Sequence, residues 1–263
     1  MTHSPPAFRT MSISRSGGRT WPLQVHDRLG STSDLCKDML AEGQGRDGLA
    51  VLALEQTAGR GSRGRAWCDP GGNLALSVML AGQGALVPVG LWPFIAGLAL
   101  HDAVAGYLPE PGALELKWPN DLLLHGRKMA GILVETGANE AGPWQVIGMG
   151  ANLASAPRIE GRELACLAEC GVTVSPPDMA RAVLQALDRW LECHVAQGFG
   201  AIRAAWLARA HPPGTKLRVV AGNQAFSGTF AGLADDGILL LDTPAGPRKV
   251  VTGEVLMAGG RQE

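Results

Sequence analysis

The sequence lacks an excess of either charge. Lys and Arg total 23 against 24 Asp and Glu, so nothing in the balance invites DNA or an anionic membrane. It lacks a paired CxxC. Its five cysteines, an odd number, read as thiols of a reducing compartment and point to the cytoplasm. Cys166 and Cys170 have no two His or Cys neighbours at metal-ligand spacing, which argues against zinc. No apolar core of signal-peptide length opens the chain, and residues 1–22 are expected to form a flexible extension. Residues 74–100 carry no charge, yet Pro88, Pro93 and several glycines break that run as a membrane span.

What is present suits a soluble domain with a smaller companion. A chain of 263 residues can bury about three quarters of its unfolded surface. The spacing predicts a helix over 31–43 with a Ser or Thr cap and Gly43 closing it. Strands are expected at 49–56, 74–81, 114–118 and 144–153, and a hairpin over 121–136 turned at His125-Gly126. A helix opens near Pro93, with a stripe of Ile95, Leu98, Ala99, Asp102 and Val104. A second, strongly amphipathic helix covers 176–198 and continues to Ala210. After His211-Pro212-Pro213-Gly214 the texture changes to short alternating strands, which predicts a small β-barrel over 212–263.

The stretch "EQTAGRGSRGRAW" packs three glycines and three arginines into residues 59–65, directly after a strand. Glycines leave backbone amides approachable, and arginines offer permanent charged forks for phosphate or carboxylate. No GKS or GKT follows, so this is not a Walker loop. No helix pattern follows, so it is not a dinucleotide turn. Trp67 can stack on a base or cap a pocket. Taken alone, the stretch reads equally well as a solvated surface loop. A second segment, "KWPNDLLLHGRKMAGILVE" (117–135), sets Lys117, Asn120, Asp121 and Lys128 around one hairpin at a strand end, a usual place for a site. Lys128 lies in an apolar stretch, which suggests that its ammonium faces a cleft.

Together "GSTS" (30–33), "QTAGRGSRGRAW" (56–67), the 117–135 segment and "IGMGANL" (147–153) resemble the biotin protein ligases. The resemblance runs over roughly residues 25–260. It implies an α/β (α+β) fold: a mixed-sheet catalytic domain (23–211) related to class II aminoacyl-tRNA synthetases, followed by an SH3-like β-barrel. It implies a two-step reaction. Biotin and ATP, with Mg²⁺ on the phosphates, give biotinyl-5′-AMP, and a lysine of a biotin carboxyl carrier domain then attacks it. The short N-terminal segment implies a form without the helix-turn-helix repressor domain. A homodimer is left open.

By the same resemblance, Lys128 lies against the biotin carboxylate and the α-phosphate. Ser31, Thr32, Ser33 and Gln56 face the ureido ring, and Arg60, Gly61 and Ser62 line the biotin and adenylate. Arg63, Arg65, Trp67, Asn120, Gly148, Gly150 and Asn152 are implied on the nucleotide side. Asp121 is the candidate to orient or deprotonate the incoming lysine. Two departures stand out: Ser62 where the family carries a second loop arginine, and Ser33 where asparagine is common. Arg63 is expected to compensate in part for the missing charge. A lipoate- or octanoate-type ligase and a non-enzymatic biotin-adenylate sensor are the alternatives.

Overall fold

A computed structural model describes residues 7–82, 87–222 and 224–257. Eight strands form one sheet in the order β1-β2-β3-β4-β8-β7-β6-β5: β1 (Phe8–Ser14), β2 (Thr20–His26), β3 (Ala50–Ala53), β4 (Leu74–Ala81), β5 (Leu114–Lys117), β6 (Asp121–Leu124), β7 (Arg127–Asn139) and β8 (Gly142–Ala151). Among the described strand pairs of this sheet, β2 and β3 run parallel and the rest antiparallel. Both faces are covered. Helix α1 (Thr32–Ala41) packs on β3, β4 and β8 from one side, while α2 (Trp92–Ala105) and α3 (Pro176–Leu207) lie on the other.

This layering explains why β3 and β4 read as near-continuous apolar runs. Their residues alternate between two cores. Ala50, Leu52, Leu74, Leu76, Val78 and Leu80 face the large core under α2 and α3. Val51, Ala53, Ala75 and Met79 face the smaller core under α1. Helix α2 is buried nearly all round rather than along the expected stripe, because it is wedged between the sheet and α3. In α3, Gly198 leaves helical geometry (φ 72°, ψ −175°), so the long helix is two segments broken at that glycine.

The expectation of a free N-terminal extension is corrected. Residues 8–14 pair antiparallel with β2 through the full length of both strands. The sequence hid this because β1 is an edge strand with one buried side chain, Ile13, set opposite Trp21. Arg15 anchors the connecting turn: its Nε donates to Asp188 of α3 at 2.8 Å, and its guanidinium stacks on Trp21.

Residues 216–257 form a separate antiparallel sheet, ordered β12-β11-β10-β9-β13. Its strands are β9 (Lys216–Ala221), β10 (Gln224–Leu233), β11 (Leu239–Thr243), β12 (Gly246–Val250) and β13 (Glu254–Met257). It docks on the turn after β5. Trp118 Nε1 donates to the Gly237 carbonyl at 3.1 Å, and Lys117 Nζ donates to the Val255 carbonyl at 3.1 Å.

Candidate active site

On the α1 face, three neighbouring strands carry small residues at every position of the recess except Leu133. Ser77 of β4 is paired with Gly148 of β8, which is paired with Leu133 of β7. One step along, Ala75, Gly150 and Gly131 are in register. The floor of a recess is thus made of residues that leave space. The two β8 glycines are needed for close approach, not for backbone freedom. A Cβ on Gly148 would stand 2.9 Å from Ser33 Oγ, and one on Gly150 would stand 2.7 Å from the Trp67 ring.

The N-terminus of α1 forms one wall. Ser31 caps the helix by accepting from Asp34 N–H at 3.3 Å. Thr32 donates its backbone N–H and its hydroxyl to Gln56 Oε1 at 2.8 and 3.2 Å. Ser77 Oγ lies 2.8 Å from Thr32 Oγ1 and 3.0 Å from Ser33 Oγ, in a buried hydroxyl cluster. Four buried hydroxyls and one half-buried amide therefore offer both donors and acceptors. Ser77 had no part in the sequence reading; its signal was a lone polar residue inside the apolar run "LALSVMLA".

Lys128 reaches this face because of a β-bulge. Leu122 pairs with Ala130 but Leu123 with Lys128, so Met129 is an extra residue. Met129, Ala130 and Ile132 all enter the large core. Without the bulge, alternation would send Lys128 after Ala130 and Ile132 into that core; with it, Lys128 shares the face of Gly131. A Cβ on Gly131 would stand 3.1 Å from Lys128 Nζ.

Three recesses meet. The first is the hydroxyl-lined pocket, with Gln56, Arg60, Gly61, Asn120 and Lys128 also on its wall. The second holds Arg65, Trp67, Asn152, Ile159 and Leu164, and shares Lys128 with the first. Among the described residues, Asn152 Oδ1 and Trp67 Nε1 are buried with no hydrogen-bond partner. The third lies between the 62–65 loop and the C-terminal sheet, and is lined by Arg63, Arg65, Lys117, Asp121 and Glu254. Ser62 lines all three.

The charged groups fall into a regular arrangement in which each carboxylate bridges two cations. Asp121 holds Lys128 at 2.5 Å and Lys117 at 2.9 Å. Glu254 holds Arg65 at 2.6 Å and Arg63 at 3.4 Å. Asp34 and Glu135 both hold Lys37 and Arg60, with Glu135 at 2.7 Å from Arg60. Burial pushes the Asp121 carboxyl up, but the Lys117 and Lys128 ammoniums outweigh it and keep it below the usual carboxylate range. Burial likewise opposes the ionisation of Glu254, but Arg65 and Arg63 outweigh it and hold the carboxyl below its usual range. Asp34, Lys37 and Glu135 were not singled out from the sequence.

The structure brings Ser31, Thr32, Ser33, Gln56, Arg60, Gly61, Ser62, Asn120, Lys128, Gly148 and Gly150 around the first recess, with Trp67 at its border to the second. Asn120 is held by its amide, which donates to the Ile132 carbonyl at 2.6 Å. It does not bring Arg63 there. Arg63 adopts a left-handed backbone (φ 60°, ψ 35°) between Ser62 and Gly64, and its side chain pairs with Glu254. Arg63 thus lines neither the first nor the second recess.

Known proteins resemble this chain over most of its length. The model of the biotin/lipoate A/B protein ligase family matches residues 25–152, and that of the biotin protein ligase C-terminal domain matches 216–257. The biotin--[acetyl-CoA-carboxylase] ligase of Paracoccus denitrificans is 39% identical over 80% of this chain and 90% of its own length. The enzyme of that name from Mycobacterium tuberculosis is 35% identical over 91% of this chain and 90% of its own. The Leishmania major biotin protein ligase in complex with biotinyl-5-AMP superposes with a TM-score of 0.61 at 28% identity, covering 90% of this chain and 98% of that one. The Aquifex aeolicus biotin protein ligase in complex with biotin and ATP shares the fold, with a TM-score of 0.76 at 24% identity over 89% of this chain and 97% of that one.

Proposed function

The chain belongs to the biotin protein ligase family, and from that premise we propose that it activates biotin with ATP and transfers it to a lysine of a carboxylase carrier domain. The observation that carries this reading is the junction of the hydroxyl-lined first recess with the second at Lys128. A ureido ring needs donors and acceptors once buried, and Ser31, Thr32, Ser33, Ser77 and Gln56 provide both. Adenosine then lies in the second recess against Trp67 and Asn152. Lys128 sits where the biotin carboxylate and the α-phosphate must approach, and a waiting cation stabilises the charge gathered there.

Asp121 serves as the orienter of Lys128 rather than as a base. A carboxylate held below its usual range by two ammoniums is a weak acceptor for a lysine proton with a pKa of about 10.4. Each cleft carboxylate described already bridges two cations. Mg²⁺ therefore enters on the nucleotide's phosphates as part of the substrate. The acceptor is the carrier domain of a biotin-dependent carboxylase, in keeping with the names of the relatives. We read the large mixed sheet as the class II synthetase type and the five-stranded sheet as an SH3-like barrel. The five free cysteines, Cys68 among them at the surface, fit a cytoplasmic setting.

Radiolabelled biotin transfer to a purified carrier domain tests the proposal. The expected result is ATP-dependent labelling of one lysine, with pyrophosphate released only when biotin is present. Release with lipoate but not biotin would assign the lipoate-type activity. Tight biotin binding with no carrier labelled would make the protein a sensor.

A further inference from the structure

Arg60 is held by two sides of the first recess at once. Its guanidinium donates to Asp34 of α1 through one nitrogen and to Glu135 of β7, at 2.7 Å, through the other. Its backbone is fixed by an isolated bridge to Ala66 across the loop. One side chain thus joins the loop, the helix wall and the floor strand. Gly131, Leu133 and Glu135 alternate along one face of β7, and Gly131 lies against Lys128. Lys128 and Glu135 therefore mark opposite ends of that face, about 13 Å apart along the strand. The hydroxyl cluster lies between them, because Ser33 Oγ stands over Gly148, the partner of Leu133.

The two carboxylates on Arg60 are not equivalent. The Asp34 side chain is 43% exposed and that of Glu135 only 17%. Glu135 Oε1 takes both Arg60 and Lys37, at 2.7 and 3.0 Å, while Oε2 is buried with no hydrogen-bond partner among the described residues. This arrangement adds little to stability. Partly exposed ion pairs contribute weakly, and an unpaired buried oxygen counts against the fold. What it does fix is the place of the Arg60 side chain.

We propose that Glu135 is a positioning residue, which holds Arg60 across the end of the first recess opposite Lys128 so that the 56–67 loop closes over the ring of bound biotin. This rests on the biotin reading and deepens it. The end that Arg60 closes is electrically balanced, with Lys37 and Arg60 set against Asp34 and Glu135. The other end carries the surplus of Lys117 and Lys128 over Asp121. Arg60 can therefore stand beside an uncharged ring without drawing the carboxylate away from Lys128. With the loop drawn in, water is kept from the hydroxyl and amide bonds to the ureido ring, which strengthens them.

The test is calorimetric titration of biotin, without ATP, into the full chain and into Glu135→Gln, Arg60→Met and the double variant. Glu135→Gln is expected to bind about tenfold more weakly, the effect of losing one charge-assisted hold. Arg60→Met should lose at least as much, and the double variant no more than Arg60→Met alone, because Glu135 acts through Arg60. Lys37→Met leaves both carboxylates on Arg60 and should bind within about twofold of the parent. Unchanged affinity in Glu135→Gln, losses that add in the double variant, or an equal loss in Lys37→Met would overturn the proposal. Trypsin cleavage after Arg60 is read in the same unliganded proteins and should be severalfold faster in Glu135→Gln; equal rates would exclude the hold. No biotin uptake by the parent, alongside that faster cleavage, would remove the biotin reading and leave Arg60 held by Glu135.

Discussion

Lys128 Nζ lies 2.5 Å from Asp121 Oδ1, and the other oxygen of that carboxylate lies 2.9 Å from Lys117 Nζ. Lys117 in turn donates to the Val255 carbonyl. The C-terminal sheet is thereby linked to the central lysine through two side chains. The ion pair fixes where Lys128 stands, and the second lysine keeps the group cationic.

Replacing Lys128 with alanine should nearly abolish adenylate formation while the fold survives. Loss of one electrostatic contact to the transition state costs on the order of 3 kcal/mol, a factor of 100 or more. Pyrophosphate release in the presence of biotin is the measurement. A rate near that of the parent protein would remove Lys128 from the chemistry.

Asp121→Asn should damage stability as well as activity. It leaves two poorly exposed ammoniums facing a neutral amide, and breaking a buried pair from one side costs about 3–5 kcal/mol. Denaturant unfolding should show the loss. Adding Lys117→Met should restore part of it, because the like-charge repulsion disappears. A double variant no more stable than Asp121→Asn alone would contradict this account.

Gly148→Ala and Gly150→Ala should separate the two substrates. The first crowds Ser33 Oγ and the second the Trp67 ring. We expect Gly148→Ala to raise the biotin KM by tenfold or more with a smaller change for ATP, the scale of one displaced hydrogen bond. Gly150→Ala moves Trp67, which borders both recesses, and should raise both constants. Identical effects of the two substitutions would show that the glycines act only on the strand.

Acid should loosen the junction between the two sheets. His211 is buried against Phe230, and burial, helped by Lys117, lowers its pKa to about 4. The unfolded chain, with a His pKa near 6.5, binds the proton first, so stability falls as pH drops from about 6.5 toward 4. The loss reaches at most about 3 kcal/mol. Thermal melts from pH 7 to 5 should fall more steeply for the parent than for His211→Met, and parallel curves would exclude His211 as the cause.

Residues 57–66 should resist trypsin better once biotin and ATP are present. The loop is held by few backbone bonds, among them Gly61 N–H to Arg65 O at 2.8 Å, and by ion pairs that a ligand's anions can replace. Equal cleavage rates at Arg60, Arg63 and Arg65 with and without ligands would count against loop closure.

The strands and helices near the site were legible because their signals are local. Ser31 caps α1, and His125 (φ 50°) with Gly126 (φ 74°) makes the two-residue turn of the β6–β7 hairpin. Other features needed the third dimension. Lys128 faces the recess only through the Met129 bulge, which strict alternation would miss. Glu135 and Asp34 matter because β7 and α1 bring them to Arg60 across 75 and 26 residues of sequence. Glu254 meets Arg65 across 189 residues, and no local pattern announces such a meeting. The edge strand β1 was invisible because most of its side chains face solvent.

The floor of the first recess is built from Gly131, Gly148 and Gly150 with Ala75 and Ser77 beside them. Substitution there runs in one direction. A glycine has no side-chain atom to give up, so any single change at those three positions takes space away. Variants at these three glycines can therefore exclude ligands but cannot admit bulkier ones. A broader ligand range has to be sought in the walls, at Ser33, Leu133 or Trp67, where there is something to remove.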